Sequence, residues 1–200
     1  MSERDPDLQR FVAALRTALR SAEKSAQADA MQEKVFAALE KAGPKGTTTP
    51  ARLPVCDQLE PALDGLKGSG AVLETVGQAL ATLAPSLHWI RRGGATPNAN
   101  ERFADGHANA TIIGRGGLEE REDLRIGVSL LAPGVRYPDH DHPPEEVYLV
   151  LSPGRFSHGG EPWQEPGIGG TFHNPPGILH AMASDERPLF AIWCLWSGNG

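Results

Sequence analysis

The sequence predicts an α+β protein in which a helical N-terminal extension precedes an antiparallel β-barrel. Two patterns carry that prediction. The first part of the chain repeats apolar side chains at helical spacing, whereas the later part breaks into short β-rich runs separated by turn residues. The texture changes around "APSLHWIRRGG", and the boundary is placed near residue 86, giving a helical extension over 1–86 and a barrel over 87–200.

Leu8, Phe11, Val12, Leu15 and Leu19 follow the i, i+3, i+4, i+7, i+11 pattern of one helix face. Met31, Val35, Ala38, Leu39 and Ala42 repeat it, and "AGPKG" ends that helix with the expected Gly and Pro. "KGTTTPARLP" is a polar connector. Shorter stripes follow at Leu59, Leu63 and Leu66, and at Val72, Val76, Leu80 and Leu83. These stripes read as core-facing surface, with a homodimer contact as the alternative use. Beyond the boundary, "ATIIG", "LRIGVSLLAPG", "EVYLVLSPG" and "LFAIWCLW" read as strands of a sandwich or small barrel.

Composition removes several function classes. At 200 residues the chain can bury a substantial core without disulfide staples, and its two cysteines, Cys56 and Cys194, form no CxxC pattern. They read as reduced thiols of a cytoplasmic protein. A formal charge of −6 leaves no electrostatic footprint for nucleic acid. The N-terminal "MSERDPDLQR" has no apolar signal core, and no apolar run approaches the roughly 20 residues needed to span a membrane.

Chemistry concentrates in "PDHDHPPEEVYLVLSPG", residues 138–154. Alternate side chains of a strand share a face, so His140 pairs with His142. Past the Pro143-Pro144 turn, Glu146, Tyr148 and Val150 face one way, and Val147, Leu149 and Leu151 face the other. The apolar set implies an outer packed layer, and the Glu-Tyr set implies a polar lumen. Glu145 reads as a solvated turn carboxylate. Two imidazoles and a carboxylate buried without partners would be costly, whereas a divalent cation makes use of all three. A lone HxH is weak evidence, so the case needs a second segment.

That segment is "GGTFHNPPGILHAMAS", residues 169–184. Gly134-x5-His140-x-His142-x3-Glu146-x7-Gly154, followed by Gly169-x5-Pro175-x-Gly177-x2-His180, resembles the two-part signature of the cupin superfamily. The gap before Gly154 is one residue longer than the usual pattern, and Ser184 stands where asparagine is common. The resemblance implies a jelly-roll barrel with one divalent transition metal (Fe, Zn, Mn or Ni) on His140, His142, Glu146 and His180. His158 and His173 read as loop residues, and His88 and His107 lack ligand spacing. Fold alone does not choose among the chemistries of such barrels.

Tyrosine is scarce, and both copies, Tyr137 and Tyr148, flank the first motif. Tyr148 shares the inward face of Glu146. Its ordinary pKa of about 10 is too high for a base at neutral pH, but a nearby dication stabilises the phenolate. For Tyr137, Pro138 interrupts the parity argument. The longer strings "YPDHDHPPEEVYLVLSPG", "PGIGGTFHNPPGILHAMAS" and "PLFAIWCLW" are similar to the bacterial cupin-type dimethylsulfoniopropionate (DMSP) lyases, particularly the DddQ/DddL group, over about residues 125–196. That resemblance implies a carbon–sulfur lyase releasing dimethyl sulfide and acrylate, with Tyr148 as base and Tyr137 positioning substrate or assisting proton transfer. A sulfonium is a cation, so an aromatic face can hold it at roughly 0.5–2 kcal/mol. Trp193 and Trp196 are the candidates, although their opposite parity allows only one to face the lumen. Trp163 is a candidate lid residue. Two alternatives stand beside the lyase: an Fe(II) dioxygenase of a small organic acid or thiol, and a non-catalytic cupin that binds a small sulfonium or carboxylate ligand.

Overall fold

The computed structural model describes residues 3–23 and 25–198. Helix α1 (Pro6–Ser21) begins where the Asp5 side chain accepts the backbone N–H groups of Asp7 and Leu8, with Pro6 in the first turn. Helix α2 (Ala26–Ala38) is capped by Ser25. The short α3 (Leu59–Asp64) and the longer α4 (Ala71–Leu83) complete the helical layer, and a single turn, α5 (Phe103–Gly106), leads into the strands. No helix among the described residues is long and apolar enough to cross a membrane.

The strands are β1 (His107–Ile113), β2 (Leu124–Leu131), β3 (Glu145–Val150), β4 (Arg155–His158), β5 (Thr171–Asn174), β6 (His180–Ala183) and β7 (Leu189–Trp196). Five form an antiparallel sheet in the order β1-β2-β7-β3-β5, and β4 pairs with β6 in a second sheet. The four strands expected from sequence are present. The four-residue strands β4, β5 and β6 lie in segments too short to show a periodic pattern. His158 and His173, expected in loops, therefore sit on β4 and β5.

The β3 side chains divide as parity requires. Val147, Leu149 and Leu151 join one buried cluster with Leu8, Phe11, Leu15 and Met31 of the helices. The helical stripes are thus buried by the chain's own sheet. Tyr148 and Val150 belong to a second cluster, inside the barrel, with Phe156, Phe172, Leu189 and Trp193. This corrects the expectation of a polar lumen. Apolar side chains fill much of the barrel interior, and polar groups gather at the Glu146 end of β3.

Candidate metal and substrate site

The two motifs meet through backbone. His140 and His180 exchange N–H···O bonds of 3.0 and 2.9 Å, and the Gly177 N–H donates to the His142 carbonyl at 2.9 Å. Gly177 has φ +70°, a conformation that suits glycine and turns the second motif back alongside the first. Ser184, at the position where asparagine is common, accepts the Val135 N–H at 3.0 Å and donates to the Ala132 carbonyl at 2.6 Å. It fastens the start of the first motif to β6.

These ties bring His142, Glu146 and His180 together, with one potential donor atom of each lying within 4.8 Å of the others. Glu146 Oε2 is 3.4 Å from His142 Nε2 and 3.2 Å from His180 Nε2. Donor atoms sharing one first-row ion sit about 3.0–3.5 Å apart, so this spacing suits a common cation. The imidazoles are presented for it. Nδ1 of His140, His142 and His180 each meets a backbone carbonyl at 2.9 Å, from Pro138, Pro144 and Ile178. Such a partner puts the proton on Nδ1 and leaves the Nε2 lone pair for a metal. The Nε2 atoms of His142 and His180 are buried with no hydrogen-bond partner, a costly arrangement that coordination would relieve. The donor set therefore fits a divalent metal.

His140 flanks this trio, its ring centre 4.1 Å from that of His180 and 6.2 Å from that of His142. Burial, with the neighbouring His180, pulls its pKa down to about 4, so it is a neutral imidazole. Burial alone would raise the Glu146 carboxyl, but His142 and His180 in their protonated form, whose place a bound cation would take, outweigh that effect and hold it at about 2. Glu146 is thus an anion sealed inside the protein at 3% exposure.

Cross-strand register arranges the rest. Glu146 lies opposite Asn174 of β5 and Leu195 of β7, and Tyr148 lies opposite Phe172 and Trp193. Trp193 in turn lies opposite Gly127 of β2, where an added Cβ would come within 2.2 Å of the indole Cζ2. Glycine is required there so that the indole can lie across the sheet. A cavity of about 310 Å³ is lined by His140, His142, Glu146, Tyr137, Tyr148 and Trp193. Arg91, Arg92 and Arg125 also line it, giving it a positive rim.

Tyr148 is buried, and burial, with the Glu146 carboxylate, pushes its phenol well above 10. Burial raises Tyr137 to about 12, although its oxygen accepts the Asn109 side-chain N–H at 2.9 Å. Asn109 Oδ1 takes the Ser129 hydroxyl at 2.7 Å. Sequence reasoning missed Asn109 and Ser129. They are cross-strand partners on β1 and β2, and neither belongs to a motif.

Two other expectations, for Trp196 and Glu145, are corrected. Trp196 lies on the opposite face from Trp193, packed against the helical cluster, so it cannot contact substrate in the cavity. The Trp193 ring already has the Arg125 guanidinium 5.7 Å from its centre. Trp163 lies outside the cavity, with Arg136 and Arg155 each 5.6 Å from its ring. Glu145 is not a solvated carboxylate, because His173 Nε2 pairs with it at 2.8 Å, their side chains 16% and 20% exposed. Cys56 and Cys194 are buried free thiols.

Comparison with known proteins places this chain in a family. The chain is 35% identical over 98 residues to dimethylsulfoniopropionate lyase DddQ of Ruegeria pomeroyi, covering 48% of each chain. It is 28% identical over 146 residues to a Cereibacter sphaeroides protein provisionally designated dimethylsulfoniopropionate lyase DddL, covering 73% of this chain and 60% of that one. The chain thus spans about half the length of these curated relatives. The crystal structure of DMSP lyase DddQ from R. pomeroyi superposes with a TM-score of 0.72 at 22% identity, over 96% of this chain and 92% of that one. The likeness shows the fold, N-terminal helices followed by a cupin jelly roll. The sequence profile of the dimethylsulfoniopropionate lyase family matches residues 27–191, more than four-fifths of the chain, and the protein belongs to that family.

Proposed function

We propose that the protein is a metal-dependent carbon–sulfur lyase that cleaves DMSP to dimethyl sulfide and acrylate by β-elimination. The observation that carries this reading is the placement of the buried Tyr148 phenol beside Glu146 and opposite Trp193, facing the cavity that His140 and His142 also line. Family membership and the likeness to DddQ support the same substrate.

Arg91, Arg92 and Arg125 draw the substrate carboxylate into the cavity. A divalent ion (Fe, Zn, Mn or Ni) held by His142, Glu146 and His180, with His140 beside them, would supply positive charge that neutralises this carboxylate, acidifies the proton α to it and favours the Tyr148 phenolate. Tyr148 takes the α proton as general base. The electron pair of that C–H bond forms the new double bond as the C–S bond breaks, and neutral dimethyl sulfide leaves with the C–S electrons. Burial makes the Tyr148 phenolate a strong base, matched to a weakly acidic C–H. Tyr137 oxygen accepts from Asn109, which leaves its O–H to orient the carboxylate or return a proton. Trp193 offers its remaining ring surface to the sulfonium.

In this reading residues 87–200 carry the chemistry, and the helices described within residues 1–86 cover the outer face of the five-stranded sheet. A homodimer would use little of the helical stripes, because the chain buries most of their residues itself.

The test is anaerobic incubation of purified protein with DMSP, following dimethyl sulfide and acrylate together. Equimolar release without oxygen, lost on chelation and restored by a divalent metal, is expected. Substrate-dependent oxygen consumption would instead identify a dioxygenase, and saturable binding without products a ligand-binding cupin.

A further inference from the structure

Glu146 and His180 belong to different sheets, and each has a polar cross-strand partner. Glu146 lies opposite Asn174 in the five-stranded sheet, and His180 lies opposite His158 in the two-stranded sheet. The two partners meet. His158 Nδ1 is 3.1 Å from Asn174 Oδ1, while Asn174 Nδ2 donates to Glu146 Oε2 at 2.9 Å. Asn174 is fully buried, and both ends of its amide are engaged. Phe172 lies beside His158, their ring centres 4.8 Å apart, and Glu161 approaches His158 Nε2 at 3.5 Å from the exposed side.

The donor directions follow from chemistry. An ionised carboxylate only accepts, so the Asn174 amide must turn its NH2 toward Glu146. Its oxygen then faces His158, which must carry a proton on Nδ1. The result is a clasp running from β4 through Asn174 to the same Glu146 oxygen that faces His142 and His180.

We infer that Asn174 and His158 are positioning residues whose shared hydrogen bond holds the two sheets at the separation that lets Glu146 and His180 bind one cation. The inference rests on the reading of Glu146 and His180 as metal ligands. Neither Asn174 nor His158 is a catalytic residue here, since neither lines the cavity. Groups behind metal ligands affect affinity about 10–100-fold because they fix orientation and basicity. Asn174 acts directly on one ligand, and His158 acts through Asn174.

The test is titration of the purified full chain with Co(II), following d–d absorbance, with circular dichroism confirming the fold. Asn174→Asp replaces the donor with an acceptor of the same shape and should weaken Co(II) binding at least about tenfold. His158→Phe, at a partly exposed position, should weaken it about tenfold by removing the donor to Asn174. His158→Gln, which can donate to the same oxygen, should stay within about threefold of wild type, a rescue that loss of packing alone would not produce. If Asn174→Asp fails to fold, the His158→Phe and His158→Gln pair decides by itself. Wild type that binds Co(II) while His158→Phe and Asn174→Asp bind equally well overturns the clasp and leaves the ligand reading standing. Wild type that binds no Co(II) overturns the ligand reading and the clasp with it.

Discussion

Glu146 Oε2 lies 3.2 Å from His180 Nε2, although one residue is on β3 of the five-stranded sheet and the other on β6 of the two-stranded sheet. The contact depends on the paired backbone of His140 and His180, which joins the two motifs directly. The proposed metal binding would therefore be coupled to the closeness of the two sheets, and ligand variants should reveal that coupling.

His142→Ala, Glu146→Ala and His180→Ala should each reduce metal retained after dialysis to about a tenth of wild type or less, measured by elemental analysis. Dimethyl sulfide release should fall in parallel. His140 stands beside the trio rather than within it, so His140→Ala should retain more metal than the other three. Equal retention by all four variants would contradict the geometry.

Gly127→Ala should destabilise the protein by about 1–3 kcal/mol, the usual range for overpacking. Its Cβ would meet Trp193 Cζ2 at 2.2 Å and the Ala110 carbonyl oxygen at 2.3 Å. The indole must then shift into the cavity, which should raise KM as well. Urea denaturation with steady-state kinetics checks both effects.

His107 gives a pH prediction with a fixed sign. Its ring is buried between Phe103 and Tyr137, and its Nε2 accepts the Arg92 N–H at 2.8 Å. Burial holds its pKa below the ordinary 6.5, so the folded protein keeps it neutral. The unfolded chain binds the extra proton first on acidification. The stability linked to His107 is thus fully present above pH 6.5 and lost as pH falls through the lower folded value. Urea denaturation at pH 7.5 and about 5.5 should show a larger acid loss in wild type than in His107→Gln. An equal loss in both would refute this assignment.

Much of this site was legible from motif spacing and strand parity. The HxHxxxE and PGxxH strings named His142, Glu146 and His180, and alternation along β3 separated Tyr148 and Glu146 from Val147 and Leu149. Register was not legible, because it is set between strands. Nothing in the local sequence says that Asn174 lies opposite Glu146 or that Gly127 lies opposite Trp193. The strands carrying His158 and His173 are each four residues long, too short for a period to show. Glu145 looked solvated for the same reason, since its partner His173 arrives on one of those strands. The apolar filling of the barrel also escaped notice, because Phe156, Phe172 and Leu189 come from three strands that only the fold brings together.

The most direct test of the central claim is Tyr148→Phe measured beside wild type for bound metal and for dimethyl sulfide released from DMSP. Removing one oxygen leaves the ring against Phe156 and Trp193, so the variant should fold and retain metal like wild type. Its kcat should fall by about 10²–10⁴, the usual contribution of a positioned base. A metal-loaded Tyr148→Phe protein that releases dimethyl sulfide at the wild-type rate would contradict the account.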